Sequence, residues 1–460
     1  MSTSSSSTEL FRRRVVVSAT LGLLLAGSAA GPAQADSVRS RQWHLTAMRA
    51  EEMWETSTGE NVTVAVIDSG VDSSNPDLQG QVLKGKDLAP NSPGDERTDY
   101  NGHGTGMAGL IAGTGKSGGG DGAFGLAPGS KILPIRMRDD AGRVNGATGD
   151  ANFNRDLPIA IRFAVDHGAK IINISLGNGT GSRQVSDAVK YALENGSLIF
   201  SAVGNSGDEA NAVEYPAGTP GVVGVGAIGE DLRKAGWSQY GPQVDLSAPG
   251  VNMIHACSGE TGVCKGKGTS DATAIASASA ALIWSQHPDW TNNQVLRVML
   301  NTAGGPTSGA ERTDYIGYGV VRPRIALKTP GDPGPADEYP LPDLAAAESA
   351  QPSAKPSKAT GSSESDDKPA TAAGTDSNTS LWIGLGIGVA ALIGAAVTAL
   401  AIRSRRRKAA AAAPPAYTHQ PPYPYPAQHQ PAPSAFGPPP AAPPGSNSPY
   451  GGPPTQGPYA

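Results

Sequence analysis

Val62-Thr63-Val64-Ala65-Val66-Ile67 is a run of apolar and β-branched residues that ends directly on Asp68-Ser69-Gly70. A strand with hardly a polar position has no solvent face, which predicts a place inside a sheet covered on both sides. Working outward, Lys170 to Ile174, Ser197 to Val203 and Gly221 to Ala227 repeat the pattern. Helical stretches at Leu157 to His167 and Ser186 to Asn195 fall between them. Strands alternating with helical crossovers predict an α/β fold, a buried parallel sheet flanked by helices. Ligand sites in such sheets form at the carboxyl ends of strands and the starts of helices. Asp68 stands at such a point.

Two further segments carry groups that answer Asp68. His103, in Asn101-Gly102-His103-Gly104-Thr105, opens a predicted helix over Gly104 to Ala112, in which Gly104 and Gly106 permit close backbone approach. Ser270, in Gly268-Thr269-Ser270, opens another over Asp271 to Trp284, whose six alanines between 272 and 281 suit a tightly packed internal helix. A serine hydroxyl is a weak nucleophile until an imidazole takes its proton and a carboxylate orients that imidazole. A serine at a helix N-terminus also gains from the positive end of the dipole when an oxyanion forms beside it. The order Asp, His, Ser, together with the flanking residues, resembles the subtilisin-like serine proteases from about Gln42 to about Ala326.

That resemblance implies a serine endopeptidase with Asp68, His103 and Ser270 as its triad. Asn205, in Ala202-Val203-Gly204-Asn205-Ser206-Gly207, matches the family's oxyanion-hole asparagine, with the backbone N–H of Ser270 as the second donor. Ser175-Leu176-Gly177 and Gly204 resemble the substrate-binding stretches, where an extended peptide pairs its backbone with the enzyme's. Glu214 precedes Tyr215-Pro216-Ala217, a position that in the family lies at the base of the pocket for the side chain before the scissile bond. A carboxylate there predicts a preference for Lys or Arg, with an ordinary solvated loop glutamate as the alternative. The chain departs from the family after Ser270, where Asp271-Ala272-Thr273-Ala274 replaces the Met-Ala-Ser or Ala-Pro of many relatives, and at Gly106, the second histidine position of the motif. Asp271 is read first as a helix-start residue. His44, His167, His255 and His287 lack comparable surroundings and are read as surface or packing residues.

The rest of the 460 residues divides by composition. Residues 1–35 read as a signal peptide, with basic Arg12-Arg13-Arg14, an apolar core from Val15 to Ala30, and Ala33-Gln34-Ala35 as the cleavage pattern; an uncleaved anchor is the alternative. Residues 36–328 are assigned to the peptidase domain, and 329–380, rich in Pro, Ala and Ser, to a disordered linker. Leu381 to Ile402 is uncharged and long enough to span a bilayer, and Arg403, Arg405, Arg406, Arg407 and Lys408 behind it predict a cytoplasmic tail over 403–460 and an extracellular domain. A buried core helix is the other reading of that run. The Pro-rich tail offers segments for a cytoplasmic partner or is a solvated tail without one.

The formal net charge is -5 and no basic patch suggests nucleic acid. The two cysteines, Cys257 and Cys264, predict a disulfide in an exported protein, one that stiffens the loop leading to Ser270; two free thiols is the alternative. No metal-ligand set is evident. Calcium is left open, Gly118 to Gly122 with Asp121 being read first as a flexible glycine loop. Only about 30 residues lie between the cleavage point and Asp68, too few for an inhibitory prodomain of domain size. Such a short leader combined with a C-terminal span resembles the mycosins, the membrane-anchored subtilisin-like proteases of type VII secretion. The expected partners are polypeptide substrates, membrane lipid through one span, and a secretion complex. A non-catalytic structural role in that complex is the alternative function.

Overall fold

The chain is described here by a computed structural model that covers residues 37–138, 146–259 and 261–350, all within one compact unit. Helices α1 (Trp43–Met48) and α2 (Ala50–Trp54) lead into strands β1 (Thr63–Asp68) and β2 (Lys86–Asp87). Helix α3 (His103–Ala112), strand β3 (Lys131–Arg136), helix α4 (Gly146–Asp166), strand β4 (Ile171–Ile174) and helix α5 (Arg183–Glu194) follow. Then come strands β5 (Leu198–Ala202), β6 (Val223–Ile228), β7 (Leu246–Pro249), β8 (Met253–Ala256) and β9 (Val263–Gly266). Helices α6 (Thr269–Gln286), α7 (Asn292–Thr302), α8 (Pro323–Lys328) and α9 (Pro342–Ala350) end the described chain.

Seven strands form one sheet in the order β2-β3-β1-β4-β5-β6-β7, and every pairing is parallel. Because side chains alternate along a strand, Val64 and Val66 of β1 enter the core with α3 and α6, while Ala65 and Ile67 pack with α4 and α5 on the other face. All four are at most 1% exposed, so each of the larger aliphatics contributes about 1.5–3 kcal/mol of burial. The register places Val66 and Ile67 opposite Asn173 and Ile174, so β1 and β4 end side by side.

Helix α6 crosses one face of the sheet and is buried from Thr269 to Trp284. A helix buried all round needs small side chains to approach its neighbours, which its six alanines supply. β1, β4, β5 and β6 stand where the apolar runs predict. β2, β3, β7 and the antiparallel ribbon β8–β9 are additional: β3 and β7 carry Pro134 and Pro249, which break a strand pattern, and β2 is too short to show one.

Two expectations change. The linker was expected from Thr329, yet the chain stays packed through α9. Arg297 donates hydrogen bonds to the carbonyls of Pro333 (2.7 Å), Pro335 (2.8 Å) and Glu338 (2.6 Å), Leu341 is buried, and Gly221 N–H reaches Asp343 Oδ2 at 2.8 Å. A guanidinium that satisfies several carbonyls orders a segment poor in apolar residues. Cys257 and Cys264 do form a disulfide, but its loop is fastened to the His103 side of the molecule: Asn75 Nδ2 donates to Cys257 O (2.8 Å) and Gly262 O (3.0 Å), and Ser258 Oγ to Asp99 O (3.3 Å). Among the described residues no helix is long and apolar enough to cross a membrane. The expected signal segment 1–35, span 381–402 and tail 403–460 lie outside the described residues, as does the linker beyond 350.

Candidate active site

Asp68 ends β1, fully buried, and His103 opens α3. Gly102, the residue before the helix, has φ 83°, a left-handed turn that glycine adopts without strain. This turn presents His103 Nδ1 to Asp68 Oδ1 at 2.7 Å, and Ser69 N–H donates to the same oxygen at 2.8 Å. Asp68 accepts only, so Nδ1 carries the hydrogen and Nε2 is free to take a proton. The adjacent Asp68 charge raises His103 to about 9, against desolvation; its hydrogen bond, Asp271 and Asp99 add to the rise.

Asp99, absent from the sequence reading, organises this turn. Its Oδ1 accepts from Ser69 Oγ (2.9 Å), Asn101 N (3.1 Å) and Gly102 N (2.8 Å), and its Oδ2 from Thr105 N (2.8 Å) and Thr105 Oγ1 (2.6 Å). One buried carboxylate thus satisfies orphan donors at the start of α3, where Gly102 has no side chain to cap them. The only sequence signal was an acid four residues before the histidine.

Ser270 sits in the first turn of α6, beside the end of β4. Its Oγ donates to Ser175 O at 3.1 Å, and Ser175 Oγ returns a bond to Ser270 O at 3.1 Å. The Ser270 hydroxyl hydrogen is directed at Ser175 O, so the hydroxyl must reorient to donate to His103 Nε2. Asn205, at the exposed end of β5, accepts at Oδ1 from Thr269 N (2.9 Å) and Thr269 Oγ1 (3.1 Å). A backbone N–H can only donate, which assigns the amide with its oxygen on Thr269 and leaves Nδ2 available as a donor. Thr269, unnoticed in sequence, is the orienting residue.

Glu214 lies between the two stretches expected to bind substrate. A Cβ on Gly177 would fall 3.0 Å from its Oε2, and one on Gly204 2.6 Å from its Oε1. Asn178 and Tyr215 exchange backbone hydrogen bonds at 3.0 and 2.8 Å, which brings Glu214 to the Ser175-Leu176-Gly177 strand extension. Gln239 Nε2 donates to Glu214 Oε1 at 2.7 Å, and half-burial raises the carboxyl above its usual range. The loop at 115–122 is closed by Asp77, whose oxygens accept from Ser117 N (2.7 Å), Ser117 Oγ (2.9 Å) and Ala123 N (2.8 Å). No group of three or more His, Cys, Asp or Glu side chains is gathered for a metal among the described residues.

An imidazole held by a buried carboxylate, a helix-opening serine and an oriented amide, all at the carboxyl edge of a parallel sheet, are the furniture of a serine peptidase. The chain belongs to the subtilase family, whose match covers residues 59–327, and is a serine endopeptidase of the subtilisin type. It is 37% identical over 273 residues to the subtilisin of Bacillus pumilus, a similarity that takes in 59% of this chain and 92% of that protein. Among solved structures it is similar to MycP1 from Mycobacterium smegmatis, with TM-score 0.58, 28% identity, and coverage of 67% of this chain and 89% of that one. It is similar also to MycP3, the protease from the type VII (ESX-3) secretion system, with TM-score 0.54, 32% identity, and coverage of 62% and 87%.

Proposed function

We propose that the chain is a membrane-anchored extracellular endopeptidase that cleaves polypeptides through Asp68, His103 and Ser270, with Asn205 and the Ser270 N–H as oxyanion donors. The observation that carries this reading is Asn205: Thr269, the residue before Ser270, engages its amide oxygen and so leaves Nδ2 available as a donor. Ser270 Oγ attacks the substrate carbonyl carbon and gives its proton to His103 Nε2. The carbonyl oxygen becomes the oxyanion between the two donors. His103 then passes the proton to the amine as the C–N bond breaks, and water repeats the sequence to release the acid.

Ser270→Ala is expected to abolish peptide hydrolysis and fluorophosphonate labelling, and Asn205→Ala to lower turnover about 10²- to 10³-fold with the fold intact. A folded wild-type chain that escapes labelling while a control subtilisin reacts would favour the structural role in a secretion complex instead. Glu214, wedged between Gly177 and Gly204, supports cleavage after Lys or Arg. Peptides varied at that one position, cut equally by wild type and Glu214→Gln, would remove it from the site.

Anchoring rests on the apolar run 381–402 and the basic residues after it, and a type VII partner on the likeness to MycP1 and MycP3. Protease shaving of intact cells is expected to remove the domain and spare a tail epitope. Loss of that epitope from sealed cells reverses the orientation.

A further inference from the structure

Asp271 and His255 are buried beside Ser270 and take no part in the steps above. Three glycines make room for them. A Cβ on Gly106 would lie 2.8 Å from His255 Cε1, one on Gly266 2.7 Å from His255 Nε2 and 3.0 Å from Asp271 Oδ1, and one on Gly268 3.1 Å from Asp271 Oδ2. The imidazole from β8 thus fills the space left where the family's second motif histidine is a glycine. His255 Nδ1 is 2.8 Å from Ala256 O, a pure acceptor, so Nδ1 carries the ring hydrogen and Nε2 keeps a bare lone pair. That lone pair faces Asp271 Oδ1 across 4.0 Å, and Oδ1 is buried with no hydrogen-bond partner. Two acceptors facing each other out of water repel unless one carries a proton.

We propose that Asp271 and His255 hold one proton between them, and that the charge of this buried pair shifts the titration of the His103 imidazole beyond what Asp68 does. The inference rests on His103 as general base. Burial raises the Asp271 carboxyl to about 7 and lowers His255, which places the shared proton on the carboxyl. The charges of His103 and Asp271 act on each other: a cationic His103 favours the ionised carboxylate, and a neutral one lets burial return the proton to it. When His103 becomes cationic during acyl transfer the shared proton passes from Asp271 Oδ1 to His255 Nε2, so the imidazolium meets a second carboxylate besides Asp68. His103 from α3 is the charged group that bears on Asp271, which is the acidic residue of the first turn of α6. His255 faces His103 and His44 of α1, and His103 faces Asp68 of β1 and Asp99.

The test uses the full chain carrying Ser270→Ala, so that the readout survives even if the protein hydrolyses nothing. NMR titration follows His103 and infrared absorption follows protonated carboxyl groups. As pH falls through about 7 the parent is expected to gain a buried carboxyl band that Asp271→Asn removes, and Asp271→Asn is expected to move the His103 titration to lower pH. His255→Gln, whose amide can donate to Oδ1, is expected to move the carboxyl titration to lower pH. A folded Asp271→Asn with an unmoved His103 titration, or a parent without the band, overturns the proposal. If Asp271→Asn does not fold, His255→Gln decides alone: an unmoved carboxyl titration overturns it.

Discussion

His103 answers to one carboxylate in contact and to others that act without touching it. Asp68 at 2.7 Å dominates and holds the imidazole protonated to about 9. With His103 as the proposed general base, which must be neutral to act, kcat/KM on an uncharged peptide is expected to climb from neutrality towards pH 9, above the 6.5 of a free imidazole. The same shift contributes stability that is full below 6.5 and is lost as pH rises through about 9, because the folded state binds the proton more tightly in that window. Asp99 acts by position as well as by charge. Asp99→Asn turns an amide N–H₂ against donors of the α3 turn, and is expected to lower kcat roughly 10-fold, about 1.4 kcal/mol, with KM little changed. It should also move the acid limb of the pH profile down. A lower melting temperature with an unmoved acid limb would make Asp99 a fold residue only.

The ribbon β8–β9 matters more than its size suggests, because it supplies His255 to the site and closes with the one disulfide among the described residues. Its loop end is bonded to the α3 turn through Ser258, whose Oγ reaches Asp99 O and Thr105 Oγ1, each at 3.3 Å. Replacing Cys257 and Cys264 together by Ser is expected to cost about 2–3 kcal/mol in denaturant titration, from the entropy of the freed loop. Kinetics would show a fall in kcat rather than a rise in KM, since the loosened end is bonded to the α3 turn that carries His103, the proposed base, and not to the segment around Glu214. A selective rise in KM would place the loop against substrate instead.

For the molecule as a whole, the segment beyond α8 belongs to the folded domain. Truncation after Lys328 strips Leu341 from the core and leaves the Arg297 guanidinium without its three carbonyls. A loss of roughly 2 kcal/mol or more, or several degrees in Tm, is expected, whereas truncation after Ala350 should leave Tm unchanged. Equal melting of the two forms would return the segment to the status of a tether.

The sequence by itself determined the sheet class, the central strands and the four residues with which the chemistry is proposed, because long apolar runs and short polar motifs are local signals. Val62 to Ile67 could only be a strand buried on both faces, and Asp68, His103, Asn205 and Ser270 each carry their own flanking pattern. The tertiary structure decided what depends on partners far apart in the chain. Asp99 and Thr269 orient their neighbours through hydrogen bonds that no periodicity marks. His255, read as a surface or packing residue, meets Asp271 only because Gly106, Gly266 and Gly268 vacate the space around them. The ordering of 329–350 depends on the Arg297 guanidinium, the burial of Leu341 and the bond to Asp343, whose reach is invisible in a composition that reads as linker. Burial, charge pairing and steric room are properties of the assembled chain, so a local pattern cannot state them in advance.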